Sequence, residues 1–360
     1  MIIIILLFLT AFFFAVNIGA SGAAASMGIA YGSGAIKNKR LALAICAIGV
    51  FLGAAIGGGE VVKTLGSEII PESIVSAQVA LIILSSASVS LFIANLSGIP
   101  LSTSEVTVGA VVGVGIAFNV LYVETLVTIV MYWIFLPFVA FLLAYVTNKG
   151  IAVVTRKYAF LTKGRWPKIL AVIVILTGFL EAFSAGMNNV ANSVGPLVAS
   201  GLITVNQGTI TGGLFVALGA LFLGGKVVET NGKRITNLSL LQGGAVSGIG
   251  ASLVIAASIF GIPVPHTQVT TCSILGVGAS DKGKEIFRKA IIAKLIKTWV
   301  FSPIFSLVIS YNLVKVFIDL DFSGLAPAFG LIVVAYLLTL WNPTEKMYQE
   351  KVVPKKIGGN

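Results

Sequence analysis

Apolar residues in this chain come in long unbroken runs separated by short polar connections. They do not alternate as in a strand, nor form the narrow stripe of a surface helix. The runs are 2–18, 41–58, 74–96, 106–121, 125–146, 169–185, 208–224, 238–260, 267–280, 290–316 and 325–341. A helix rises 1.5 Å per residue, so ~20 apolar residues match the ~30 Å hydrocarbon core of a bilayer. The pattern therefore predicts an all-α polytopic membrane protein with about 11–12 membrane segments. Barrel strands would alternate with period two. The run 267–280 is short for a full crossing. The first run lacks the basic flank and small-residue cleavage site of a secretory signal and reads as a retained helix.

The connections carry the topology. Basic clusters lie at Lys37, Lys39 and Arg40, at Lys149 to Lys168, at Lys226, Lys233 and Arg234, at Lys282 to Lys289, and in the tail from Lys346 to Lys356. Acidic or uncharged connections fall between them: 60–73, Glu124, the stretch 186–207, and Asp319 with Asp321. Basic loops stay cytoplasmic, and alternating the connections closes without contradiction. The N-terminus is then outside and the C-terminus cytoplasmic in a multi-pass protein of the cell membrane. Five runs precede the basic linker, so the second half enters with the opposite orientation. The expected layout is a first transmembrane repeat over 1–146, a basic cytoplasmic linker over 147–168, and a second, inverted repeat over 169–316. An extra C-terminal transmembrane helix over 317–341 and a basic tail over 342–360 complete it. Broken helices or re-entrant hairpins in each half leave this parity unchanged.

Three motifs recur in order, offset by 163 to 167 residues. NIGASGAAASMG (Asn17 to Gly28) aligns with SAGMNNVANSVG (Ser184 to Gly195), GEVVKTLG (Gly59 to Gly66) with GKVVETNG (Gly225 to Gly232), and GIPLSTSEVT (Gly98 to Thr107) with GIPVPHTQVT (Gly261 to Thr270). That is an internal repeat. Gly-interrupted apolar segments at matching places in two halves point to a transporter's substrate site. The alternative reading of the small residues is close helix packing.

Composition narrows the class. The chain has 360 residues, is 57% hydrophobic and only 10% charged, with a mean hydropathy of +1.03. Soluble domains carry about 25% charged residues. The net charge of +11 sits in loops and tail, which argues against nucleic acid as a partner. Cys46 and Cys272 lie in apolar runs and read as packing residues. A single histidine, His266, excludes a multi-histidine metal site. No phosphate-binding lysine loop, zinc-protease helix or nucleophile elbow is present, so neither an enzyme nor a cofactor is expected.

The chemistry concentrates at the repeated motifs. Pro100 and Pro263 interrupt apolar runs and force backbone breaks, tolerated at membrane depth only inside protein or beside a cavity. Each break precedes a new helix whose free N–H groups and dipole favour an anion. Ser102, Thr103 and Ser104 follow one break; His266, Thr267, Thr270 and Thr271 follow the other. A capped surface loop is the alternative. Asn188, Asn189 and Asn192 supply amides, for the site or for interhelical hydrogen bonds. Glu105 and Glu181 are intramembrane carboxylates, which are functional by default. An apolar surrounding favours a neutral carboxyl group, so either is a candidate proton carrier or, alternatively, a buried structural partner. Glu60 with Lys63 and Lys226 with Glu229 read as interfacial ion pairs.

At these residues the chain resembles the inorganic phosphate transporter family, whose halves each carry a Gly-x-Asn-Asp-x-x-Asn-Ala signature. GMNNVANSVG is close to that signature, and GIPLSTSEVT is similar to the family's Pro-Val-Ser-Thr-Thr turn. The stretches NIGASGAAASMGIAYGSGAIK, GGGEVVKT and EAFSAGMNNVAN look like the family's bacterial sulfate permease branch. The likeness covers essentially the whole chain. It implies that Ser102, Thr103, Ser104 and Thr267 contact the oxyanion; beside them Ser21, Asn188 and His266 are read as substrate-binding, His266 as a donor to the anion or, alternatively, a satisfied loop histidine. Asn189 and Asn192 would remain from a coupling-cation site. Where the family has Asn-Asp, this chain has Ser21-Gly22 and Asn188-Asn189, and Ala25 replaces a later Asn. The missing Asp pair removes the charges that bind sodium in the phosphate branch, and no metal site is assigned.

Sulfate is fully deprotonated at neutral pH, so donors alone can hold it; phosphate retains protons that need acceptors. The expected function is secondary active import of an inorganic oxyanion, sulfate first, by proton symport with alternating access. An inorganic phosphate symporter coupled to sodium or protons is the alternative on the same fold, and an anion channel the alternative from another class. The resemblance also implies a homodimer.

Overall fold

A computed structural model describes residues 1–96, 102–234, 238–283, 286 and 290–323. Among them the secondary structure is helical, without strands. Helix α1 (Ile2–Ile18) runs into a π-helical turn (Gly19–Ala23), then α2 (Gly28–Gly32), α3 (Lys39–Gly57), α4 (Gly59–Lys63) with a second π turn (Thr64–Glu68), α5 (Ala77–Leu96), α6 (Thr103–Phe118) and α7 (Val123–Lys157). The second half comprises α8 (Trp166–Ala199), α9 (Val205–Leu223), α10 (Gly225–Arg234), α11 (Leu240–Ile259), α12 (His266–Lys282) and α13 (Ala290–Phe317). The expected run 325–341, the tail, the break at Pro100 and the basic residues Lys284, Arg288 and Lys289 lie outside the described residues.

Six of these helices are long and apolar enough to cross a membrane, and the protein is a multi-pass membrane protein. α7 presents Met131, Ile134, Phe135 and Phe138, each more than half exposed, on its outer side. A face of that kind is stable against lipid and not against water. The interior is closed by small residues. A side chain at Gly19 or Gly219 would strike the backbone of Val216 or Val16, and one at Gly53 or Gly186 would strike that of Phe183 or Val50. α1 therefore crosses α9 at backbone contact, and α8 crosses α3 in the same way. Membrane helices gain association energy from such close approach.

The two crossings correspond residue for residue at the repeat offset. So do other pairings: α6 packs on α13 as α12 packs on α7, and α1 packs on α5 as α8 packs on α11.

One expectation needs correction. The stretch 186–207 is not a connection. α8 continues through it to Ala199, with Gly186 to Leu197 buried, and only residues 200–204 connect to α9. Its amides and glycines lower hydropathy, but they face protein, where hydrogen bonds and close packing stabilise them. α7 remains helical to Lys157, so the first part of the basic stretch 147–168 continues that helix.

Candidate functional site

Helix starts differ according to where they lie. Asn38 caps α3 by accepting from two backbone N–H groups. Thr204 with Gln207 and Ser239 with Gln242 form reciprocal capping boxes on α9 and α11. Such caps satisfy the unpaired N–H groups of a first turn. α6 and α12 carry no side-chain cap, and both begin inside the protein. Ser102, Thr103, Ser104 and His266 are all buried. Gly261, at φ +70°, makes the turn ahead of α12, and Trp133 Nε1 of α7 secures that turn by donating to the Pro263 carbonyl at 2.9 Å.

The amides of α8 join the two turns. Asn188 Oδ1 accepts from the Val264 N–H (3.1 Å) and from Ser104 Oγ (3.3 Å), while its Nδ2 donates to Ser258 Oγ and to the Ile262 carbonyl, both at 3.1 Å. Thr103 Oγ1 donates to Asn189 Oδ1 at 3.2 Å. Asn192 Nδ2 donates to Thr103 Oγ1 (3.1 Å) and Ser104 Oγ (3.3 Å). Asn192 Oδ1, Thr267 Oγ1 and both ring nitrogens of His266 are buried without partners. Native proteins rarely leave such atoms unpaired, and each calls for a ligand, ion or water. Gly22 of the first motif lies beside this cluster: a Cβ there would sit 3.8 Å from Asn189 Nδ2, an ordinary contact.

Seven of the sequence candidates thus meet through direct bonds or at the two turns: Thr103, Ser104, Asn188, Asn189, Asn192, His266 and Thr267. Ser102 holds the position before α6 in extended backbone. Ser21 stands apart from the hydrogen-bonded network, its hydroxyl donating to the Asn17 carbonyl one turn back at 2.7 Å.

The carboxylates divide. Glu105 turns away from the amides: Gln268 Nε2 donates to its Oε1, and Ser302 Oγ to its Oε2 at 2.5 Å. Glu181 lies beside α12, where Thr270 Oγ1 donates to its Oε1 at 2.7 Å, and its Oε2 is buried without a partner. Among the residues whose side chains are described no Lys or Arg is buried, and no cluster of three or more His, Cys, Asp or Glu side chains offers a metal site. An anion at the two turns would meet neutral donors and helix dipoles.

Gln268 and Ser258 were not singled out in the sequence. Gln268 was findable, because it aligns with Glu105 in the repeated GIP motif. Ser302 carries no such signal.

Comparison with known proteins supports this architecture. The model of the phosphate transporter family matches residues 18–310. A sulfate permease of Bacillus subtilis is 55% identical over 314 residues, covering 87% of this chain and 88% of that protein. A putative phosphate permease of Pyrococcus furiosus is 27% identical over 382 residues, covering 82% and 92%. A solved sodium-dependent phosphate transporter superposes with a TM-score of 0.79 at 25% identity, covering 88% of this chain and 99% of its own. The relatives are transport proteins, and the chain is an inorganic anion transporter, not an enzyme. With its helical membrane fold and the matched motifs on both halves, it belongs to the phosphate transporter family.

Proposed function

We propose that this protein imports sulfate across the cytoplasmic membrane by proton symport, with two inverted repeats alternating access to one central site. The observation that carries the reading is the meeting of two uncapped helix N-termini, α6 and α12, at the amide face of α8. The first-turn N–H groups of α6, with the Thr267 N–H and hydroxyl and the unpaired His266 ring of α12, form a cradle of neutral donors suited to a tetrahedral anion. Glu105 is engaged by Gln268 and Ser302, so it does not offer the acceptor that a protonated phosphate needs. The 55% identity to a sulfate permease supports the same substrate.

Coupling follows from charge. Each elementary charge crossing a membrane potential is worth ~2.3 kcal/mol per 100 mV, so a dianion entering a negative interior faces about twice that. Uptake then needs accompanying cations. Sodium would require acceptors at the α8 amides. There the chain offers Asn189 and Asn192 with no Asp, whereas Glu181 is a buried carboxylate. The matching pairs of helix contacts in the two halves support an inverted repeat. With the basic connections cytoplasmic, the N-terminus lies outside.

Phosphate coupled to sodium is the second reading, favoured by the structural likeness to a sodium-dependent phosphate transporter. Labelled-sulfate uptake into proteoliposomes separates them, with pH and sodium gradients imposed one at a time and phosphate as competitor. The proposal expects uptake that follows the pH gradient and resists phosphate. Uptake that follows sodium alone rejects the coupling, and efficient competition by phosphate rejects the selectivity.

A further inference from the structure

Two intramembrane carboxylates are available to carry a coupling proton, and their surroundings are not equivalent. Glu105 is a closed arrangement. Both of its oxygens accept from donors, Gln268 Nε2 and Ser302 Oγ. The Gln268 amide can only donate, which fixes Oε1 as an acceptor, whereas the two side chains at the Glu181 carboxylate are hydroxyls that can reverse.

Glu181 is open. Its Oε1 accepts from Thr270 Oγ1, while its Oε2 has no partner, and neither has Ser247 Oγ of α11. Ser247 stands within hydrogen-bonding reach of the carboxylate, as a hydroxyl that can donate to it or accept from it. A proton on Oε2 could be donated to the Ser247 hydroxyl, and without the proton the same hydroxyl can donate to the carboxylate, so both protonation states can be accommodated here. The groups facing Glu181 can be named element by element. α12 brings His266 and Thr270, α11 brings Ser247 and the side-chain-free backbone of Gly250, and α3 brings Cys46. None of the described ion pairs includes Glu181. No fixed charge in this set stands in for the proton.

The position connects it to the anion cradle. Glu181 and Asn188 are seven residues apart on α8, two turns along one face and ~10 Å in rise. Across from them, α12 sets Thr270 against Glu181 just as the turn ahead of it sets Val264 against Asn188. His266 lies between, its ring beside the Glu181 backbone. Any displacement of α12 relative to α8 therefore moves the cradle and the Glu181 contacts together.

We propose that Glu181 is the proton-binding site of this transporter, coupled to the anion site through α12, with Glu105 a structural acceptor. The inference rests on the sulfate–proton reading above. A proton from the outer side adds to Oε2 while the anion is held at the turns, and it leaves to water on the inner side with the anion; no other bond changes.

The test compares two assays on one proteoliposome preparation. Counterflow exchange of labelled for unlabelled sulfate at equal pH needs the anion site but no net proton movement. Accumulation driven by an inward proton gradient needs both. Glu181→Gln is expected to keep counterflow and to lose gradient-driven accumulation, down to the level of empty liposomes. Gradient-driven accumulation at the wild-type level in Glu181→Gln overturns the proposal. Thr270→Val removes the Oε1 donor without touching the charge, and is expected to shift the pH midpoint of uptake while counterflow persists. An unshifted midpoint overturns the proposal even if the Gln variant does not fold. Absence of sulfate counterflow in the wild-type protein would instead reject the transport reading itself.

Discussion

Asn188 is the residue on which the two halves converge. Its four hydrogen bonds reach Ser104 at the start of α6, Ser258 near the end of α11, and the Ile262 carbonyl and Val264 N–H of the turn before α12. Removing the amide leaves a buried backbone N–H and a buried carbonyl without partners, at a cost of ~1–3 kcal/mol for an unsatisfied group. Ser104→Ala removes one hydroxyl whose partners keep other bonds, nearer ~1 kcal/mol. Thermal unfolding in detergent should therefore rank Asn188→Ala below Ser104→Ala, and the reverse order would contradict the bridging role. For transport, Thr103→Val should raise the sulfate concentration needed for half-maximal uptake, and it should also lower the unfolding temperature, because it leaves the buried Asn189 Oδ1 without its donor. Unchanged uptake kinetics would remove Thr103 from the anion site. Sequence made these amides and hydroxyls visible as residue types. It did not show that they bond to one another, because Thr103 and Asn189 are 86 positions apart.

Among the elements, α8 departs most from its sequence reading. Hydropathy ends the apolar run near Ala185, yet the helix runs fourteen residues further, to Ala199. A buried helix surrounded by protein does not need apolar side chains if each polar one has a partner and each glycine a close neighbour. Gly186 is such a glycine, set against Val50 of α3 where no Cβ fits. Gly186→Ala should destabilise by ~1–3 kcal/mol, the usual cost of forcing atoms into a filled contact. Gly150→Ala, in α7 with open space around it, should raise stability or leave it unchanged. Equal unfolding temperatures for the two variants would refute the crossing. The small-residue motif thus serves both of its readings: its glycines set the helix crossings, and its amides build the polar site between them.

Across the whole molecule, the repeat and its asymmetry matter together. Glu105 and Gln268 occupy the same place in the two repeats and bond to each other, so they lie at the meeting line of the halves. The charged motifs following α3 and α9 are not used alike. Glu60 and Lys63 pair within α4 at 2.7 Å, whereas Glu229 of α10 pairs with Lys39 of α3 at 2.6 Å, joining the halves on the basic side. If that pair holds the basic side closed during the cycle, Lys39→Glu should change the rate of uptake, and the double exchange Lys39→Glu with Glu229→Lys should restore it. A double variant as impaired as the sum of the singles would show that the pair is incidental to transport.

The amino-acid sequence by itself determined the class, the repeat and the residue inventory. Long apolar runs admit little besides membrane helices, and recurrence at a fixed offset does not depend on knowing any contact. Only the tertiary structure decided which donors face a common point, which carboxylate is closed off by partners and which is left open, and where α8 ends. Those depend on the packing of segments far apart in the chain, and hydrogen bonding in a protein interior stabilises polar residues that local hydropathy counts against a helix.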